Sequence, residues 1–118
     1  AATGTEPDLS ELYAPAYAED AIDLCYVKDC GRAIALLQVA ERLNHRTYNV
    51  SAGRATSNAE VIAAIRRVVP DARVDLPAGG TSRPFWLDTT RLRQDTGFTP
   101  AYDIDRAAAD YVDWLRSS

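Results

Sequence analysis

Few side chains in this sequence are of a type and spacing suited to chemistry, and the most distinctive are the adjacent aromatics Phe85 and Trp86. Flat π faces stack on a nucleobase or on the apolar side of a sugar, and neighbouring aromatics serve equally as anchors that pack a loop on a core. Asp88 follows two residues later, placed either to cap a short helix or to orient Arg91. His45 is the only histidine. It follows a predicted helix end, where a positive charge suits the dipole, and no second His or Cys stands near enough in sequence for metal ligation. Cys25 and Cys30 are too few for a disulfide framework and read as small half-buried thiols in a reducing cytoplasm. No metal site is expected.

Elements must hold these side chains in place. Residues 1–19 mix Gly4, Pro7 and Pro15 with acids and show no sustained period, so they read as an extended arm, with residues 20–118 forming one small domain. From Ala21 to Val27, Ile22, Leu24 and Tyr26 alternate as on a strand. Asp29 stands where an N-cap should, ahead of a helical apolar face of Ile34, Leu37, Ala40 and Leu43 that ends near Asn44. Arg46 to Val50 reads as a second strand and Ser51 to Thr56 as a loop around Gly53. Ser57 and Glu60 match a capping box, which starts a helix at Asn58 that runs to about Val69, before Pro70. Ala72 to Leu76 reads as a third strand and residues 77–84 as a loop around Gly79 and Gly80. Thr89 or Thr90 opens a short helix that Gly97 ends, and Asp103 or Asp105 opens a last one carrying Ile104, Ala108, Tyr111, Val112 and Leu115. The expected fold is α/β, a small three-stranded and at least partly parallel sheet with about four helices.

Three segments recur here in a fixed order. They are Tyr26-Val27-Lys28-Asp29; then Thr47-Tyr48-Asn49-Val50-Ser51-Ala52-Gly53 leading to Ser57-Asn58-Ala59-Glu60; then Asp88-Thr89-Thr90-Arg91-Leu92-Arg93 ending at Gly97-Phe98-Thr99-Pro100. Together, over residues 20 to 116 or so, they resemble the C-terminal part of an extended short-chain dehydrogenase/reductase of the NAD-dependent epimerase/dehydratase family. The resemblance implies a substrate-domain portion without its Rossmann half. In the family the strand matching residues 46–50 completes the edge of the dinucleotide-binding sheet, and those matching 21–27 and 72–76 form a small sheet in the substrate domain. The family's Arg before the Asp-x-x-Arg/Lys-Leu segment contacts a nucleotide-sugar diphosphate, and Arg83 is the nearest match, a guanidinium suited to bidentate phosphate contacts. Family loops often read Arg-x-Gly-Asp where this chain has Arg83-Pro84-Phe85-Trp86. Asn49 and Ser51 match positions near the domain interface, or make local turn hydrogen bonds. Arg83, Phe85, Trp86, Asn49 and Ser51 are the expected substrate-binding residues.

None of the six glycines has the spacing of a dinucleotide turn, Lys28 is the only lysine, and position 24 is Leu, so the family's Tyr-x-x-x-Lys pair is absent. No catalytic or cofactor-binding residue is therefore expected, with NAD or NADP implied only for a parent enzyme acting on a nucleotide sugar or related small carbonyl compound. Its missing N-terminal dinucleotide-binding domain is the implied partner, and the isolated chain is expected to form a homo-oligomer. The rival readings are a free-standing binding or interaction module that kept this fold without the cofactor half, and an unrelated small α/β domain. A net charge of −4, with arginines interleaved among acids, argues against nucleic acid. No apolar run approaches the roughly 20 residues of a membrane span. Abundant alanine and a single lysine suggest a GC-rich bacterial genome, and an opening Ala1 without initiator Met fits a processed, trimmed or truncated product.

Overall fold

The computed structural model describes residues 16–80 and 85–118. Its elements run β1 (Ala21–Asp23), α1 (Val27–Val39), β2 (Ala55–Ser57), α2 (Asn58–Val68), α3 (Thr90–Thr96) and α4 (Ile104–Ser117). They fall into two compact units, residues 22–55 with 85–102, and residues 16–21 with 56–80 and 103–118. β1 and β2 pair as a two-stranded antiparallel sheet, and just beyond them the Asn58 N–H donates to the Asp20 carbonyl at 2.8 Å.

This corrects the expected three-stranded, partly parallel sheet. Arg46 to Val50 has no ladder partner among the described residues and forms no strand. Tyr48 and Val50 instead pack against Ala33, Leu92 and Phe98, so their alternation reflects a core lined by helices. Ala72 to Leu76 forms no strand either. There the Arg66 guanidinium takes the Val74 carbonyl at 2.7 Å and the Asp75 carboxylate at 2.5 Å. β2 in turn lies where a loop was expected, because three residues carry too little pattern to register as a strand.

In the first unit, α1 begins at Val27 with Tyr26 as its N-cap, and no side chain caps it. Asp29 is thus inside the helix, correcting its expected capping role. Only 2% exposed, its carboxylate accepts the Ala101 and Tyr102 N–H groups at 2.9 and 3.0 Å. The Arg32 guanidinium lies 3.4 Å from the same carboxylate, donates to the Thr99 carbonyl and stacks over the Phe98 ring. The helix ends at Val39, short of Asn44, because Ala40 already turns to an extended conformation. Ala33, Leu36 and Leu37 face the core formed with Leu92 of α3 and Phe98, while Val27, Gly31, Ile34, Ala35 and Gln38 lie along the exposed side. α3 ends as its sequence requires: Gly97 takes φ 73°, the left-handed conformation, and its N–H donates to the Arg93 carbonyl at 2.8 Å.

In the second unit, α2 packs along α4, burying Ala64, Ala107 and Val112. The capping box forms as the sequence predicts: Glu60 N–H donates to Ser57 Oγ at 3.1 Å and Ser57 N–H to the Glu60 carboxylate at 2.9 Å. Asp103 caps α4 by accepting the Arg106 N–H at 2.8 Å. Tyr111 and Trp114 stack on each other with centroids 5.9 Å apart, both exposed. Among the described residues no helix is long and apolar enough to cross a membrane.

Candidate functional site

The expected substrate-binding residues concentrate in the first unit, on two segments that one carboxylate holds together. Asp23, at the end of β1, accepts N–H groups from Ala52 at 3.0 Å, Gly53 at 3.1 Å and Leu87 at 3.0 Å. Three donors on one carboxylate fix the backbone of residues 52–53 beside that of residue 87, because an ionised acceptor roughly doubles the strength of each bond. A second tie runs from the Asn49 side-chain amide to the Asp88 carbonyl at 3.0 Å. Sequence reasoning missed Asp23. The signal available was an acid at a strand end, which patterning alone does not distinguish from a solvated side chain.

Phe85 and Trp86 precede the Leu87 tie and are 69% and 59% exposed. Neither ring is therefore an anchor buried in the core. Ser51 is buried in the segment that Asp23 holds, and Asn49 is exposed with its amide engaged. Arg83 lies outside the described residues. Asp88 is occupied locally: its carboxylate accepts the Thr90 N–H at 2.9 Å, and bonding to Thr90, side chain first, lowers its pKa below the ordinary carboxylate value.

His45 takes a structural part. Its backbone N–H donates to Tyr48 Oη at 3.0 Å, and Tyr48 Oη donates in turn to the Asp95 carboxylate at 2.6 Å. Asn44 adds two donors to the same carboxylate, at 2.9 Å from its side chain and 3.1 Å from its backbone. Tyr48, followed by Asn44, lowers the Asp95 pKa. Among the described residues, no group of three His, Cys, Asp or Glu side chains is arranged to hold a metal ion.

A dinucleotide needs backbone N–H groups turned toward a pyrophosphate where a helix begins, with space made by glycine. Of the described glycines, Gly53, Gly79, Gly80 and Gly97 take positive φ in the chain's own turns, and Gly31 lies within α1. At Gly80 an added Cβ would lie 2.6 Å from the Asp20 nitrogen, so this space is filled by the chain itself. The N-terminus of α2 is closed by its own Ser57 and Glu60. Neither Gly80 nor the start of α2 is therefore open to a pyrophosphate.

No family model matches the chain. Solved structures do. WbmF from Bordetella bronchiseptica, in complex with NAD+ and UDP, aligns with 98% of this chain at 17% identity and a TM-score of 0.74. UDP-glucose 4-epimerase from Thermotoga maritima, with UDP-glucose, aligns with 98% at 19% identity and a TM-score of 0.74. A partial consensus L-threonine 3-dehydrogenase aligns with 99% at 24% identity and a TM-score of 0.75. The chain shares the fold of these enzymes. It spans 33%, 36% and 39% of their respective lengths.

Proposed function

We propose that this chain is the C-terminal substrate-domain portion of an NAD(P)-dependent epimerase, dehydratase or reductase whose substrate is a nucleotide sugar or a related small carbonyl compound. The observation that carries this reading is the match of nearly the whole chain to about a third of enzymes that include a UDP-glucose 4-epimerase and an NAD+- and UDP-bound WbmF. Arg83, Phe85, Trp86, Asn49 and Ser51 are its substrate-binding residues. The exposed aromatic pair takes the planar or sugar part of the ligand, and Arg83 takes the phosphates through its guanidinium fork. Dinucleotide binding and the catalytic acid/base belong to an N-terminal dinucleotide-binding domain that completes the enzyme, so the chain alone binds neither NAD nor NADP.

The test has two parts. The reading frame upstream of Ala1 is expected to encode a Gly-rich strand-to-helix turn and a Tyr-x-x-x-Lys pair. The enzyme it encodes is expected to convert a UDP-sugar in an NAD(P)-dependent assay, with Arg83→Lys raising KM markedly, because an ammonium does not reproduce bidentate contacts. A frame without those segments, or saturable NAD binding by this chain alone at micromolar concentration in calorimetry, would overturn the proposal.

A further inference from the structure

Cys25 and Cys30 bracket the start of α1. With Tyr26 as the N-cap, Cys25 is the residue before the cap and Cys30 the fourth residue of the helix. Side chains at these two positions meet across a helix's first turn, where an apolar pair ordinarily fixes the angle at which the chain enters. Here both are thiols, free and half-buried. The Tyr26 carbonyl gathers them: it accepts the Cys30 N–H at 2.9 Å and lies 3.8 Å from Cys25 Sγ. The Cys30 thiol is among the neighbours that raise the Cys25 pKa.

We propose that Cys25 and Cys30 are a redox-modified site, closing into a reversible disulfide across the first turn of α1. The oxidant is a peroxide. Cys30, as thiolate, attacks one peroxide oxygen, breaking the O–O bond and becoming a sulfenic acid, while the departing oxygen takes up a proton. Cys25 then loses its proton and its sulfur displaces the sulfenic hydroxyl, which leaves as water. In sum two thiols lose two hydrogens, and one hydrogen peroxide is reduced to two waters. A dithiol reverses the change by exchange through a mixed disulfide.

The order of attack follows from the surroundings. Burial, with the Cys30 thiol and the Asp29 carboxylate adding to it, pushes the Cys25 thiol up to about 11. At neutral pH Cys25 is almost wholly protonated and a poor first nucleophile. The bond would sit in the turn that also presents Asp29 to residues 101 and 102, so oxidation stiffens the attachment of that segment to α1.

The experiment equilibrates the chain with reduced and oxidised glutathione, once folded and once in denaturant, then quenches with acid and reads the species by mass and peptide mapping. The folded chain is expected to show a Cys25–Cys30 bond with an effective thiol concentration at least tenfold that in denaturant. By linkage that tenfold is about 1.4 kcal/mol of added stability in the oxidised form. Equal or lower values when folded, or bonds formed between chains instead, would overturn the proposal. With peroxide and a sulfenic-acid trap, Cys25→Ser is expected to give a trapped adduct at Cys30 well before Cys30→Ser gives one at Cys25. The reverse order would overturn the assignment of the attacking sulfur.

Discussion

Replacing Asp29 by serine separates two roles open to an acid in the first turn of a helix. As an N-cap, Ser is nearly as good as Asp, and the change would be close to neutral. In the structure the carboxylate instead holds the Ala101 and Tyr102 N–H groups, residues more than 70 positions away. A hydrogen bond to a charged group contributes about 1.5–3 kcal/mol, so the pair contributes about 3–6 kcal/mol. Ala101 is exposed and water replaces part of its bond, which lowers the expected loss to about 2–4 kcal/mol. A chain of 118 residues has a stability of about 6–18 kcal/mol, so the variant still folds. With a urea m-value of about 1.5 kcal/mol per molar, the midpoint falls by about 1.3–2.7 M. Asp29→Asn, which keeps one acceptor oxygen and turns an amide toward the other N–H, should lie between the two. A loss below about 0.5 kcal/mol for Asp29→Ser would refute the clamp and restore a simple cap.

Ser57→Ala removes one half of the capping box and should cost about 1 kcal/mol, read as a lower denaturation midpoint with an unchanged m-value. The depressed Asp95 carboxyl stabilises the fold above its unfolded pKa and loses that contribution as pH falls through its lower folded value; Tyr48→Phe should raise the Asp95 pKa in an NMR titration and flatten acid unfolding there. An unmoved Asp95 titration would show that Tyr48 Oη does not hold it. The isolated chain should dimerise with rising concentration in sedimentation, because the exposed side of α1 carries Val27 and Ile34, Val39 is exposed at its end, and residues 46–50 have no strand beside them among the described residues. A monomer at millimolar concentration would mean that these surfaces need no cover.

What the sequence made legible was whatever a few neighbouring residues decide among themselves. Ser57 with Glu60, and Gly97, each specify a helix end through contacts within one turn, and each does so in the structure; of Asp103 and Asp105, both open as the start of the last helix, Asp103 is the cap. Strands depend on partners far along the chain. Residues 46–50 and 72–76 carry the expected alternation, yet Tyr48 and Val50 found a helix-lined core and the Val74 carbonyl found Arg66. Asp29 was misread for a related reason: an acid three residues into a helix looks like a cap until the distant N–H groups that it accepts are known. At the candidate site, Phe85 and Trp86 were visible as aromatics, but their exposure and the Asp23 knot that positions the segment after them depend on the fold.

The two ends of α1 are held unequally, and this sets how its backbone opens in time. Near its start, Asp29 and Arg32 tie the helix to residues 99–102. At its finish Ala40 departs in an extended conformation, with no glycine there and no basic side chain in the last turn. Amide protons of Leu37, Gln38 and Val39 should therefore exchange with solvent deuterium through fraying of the last turn. Those of Ala33 and Ile34 should wait for the whole unit to open. A gradient of protection running from one end of this single helix to the other would give the helix a direction of unfolding that its regular geometry conceals.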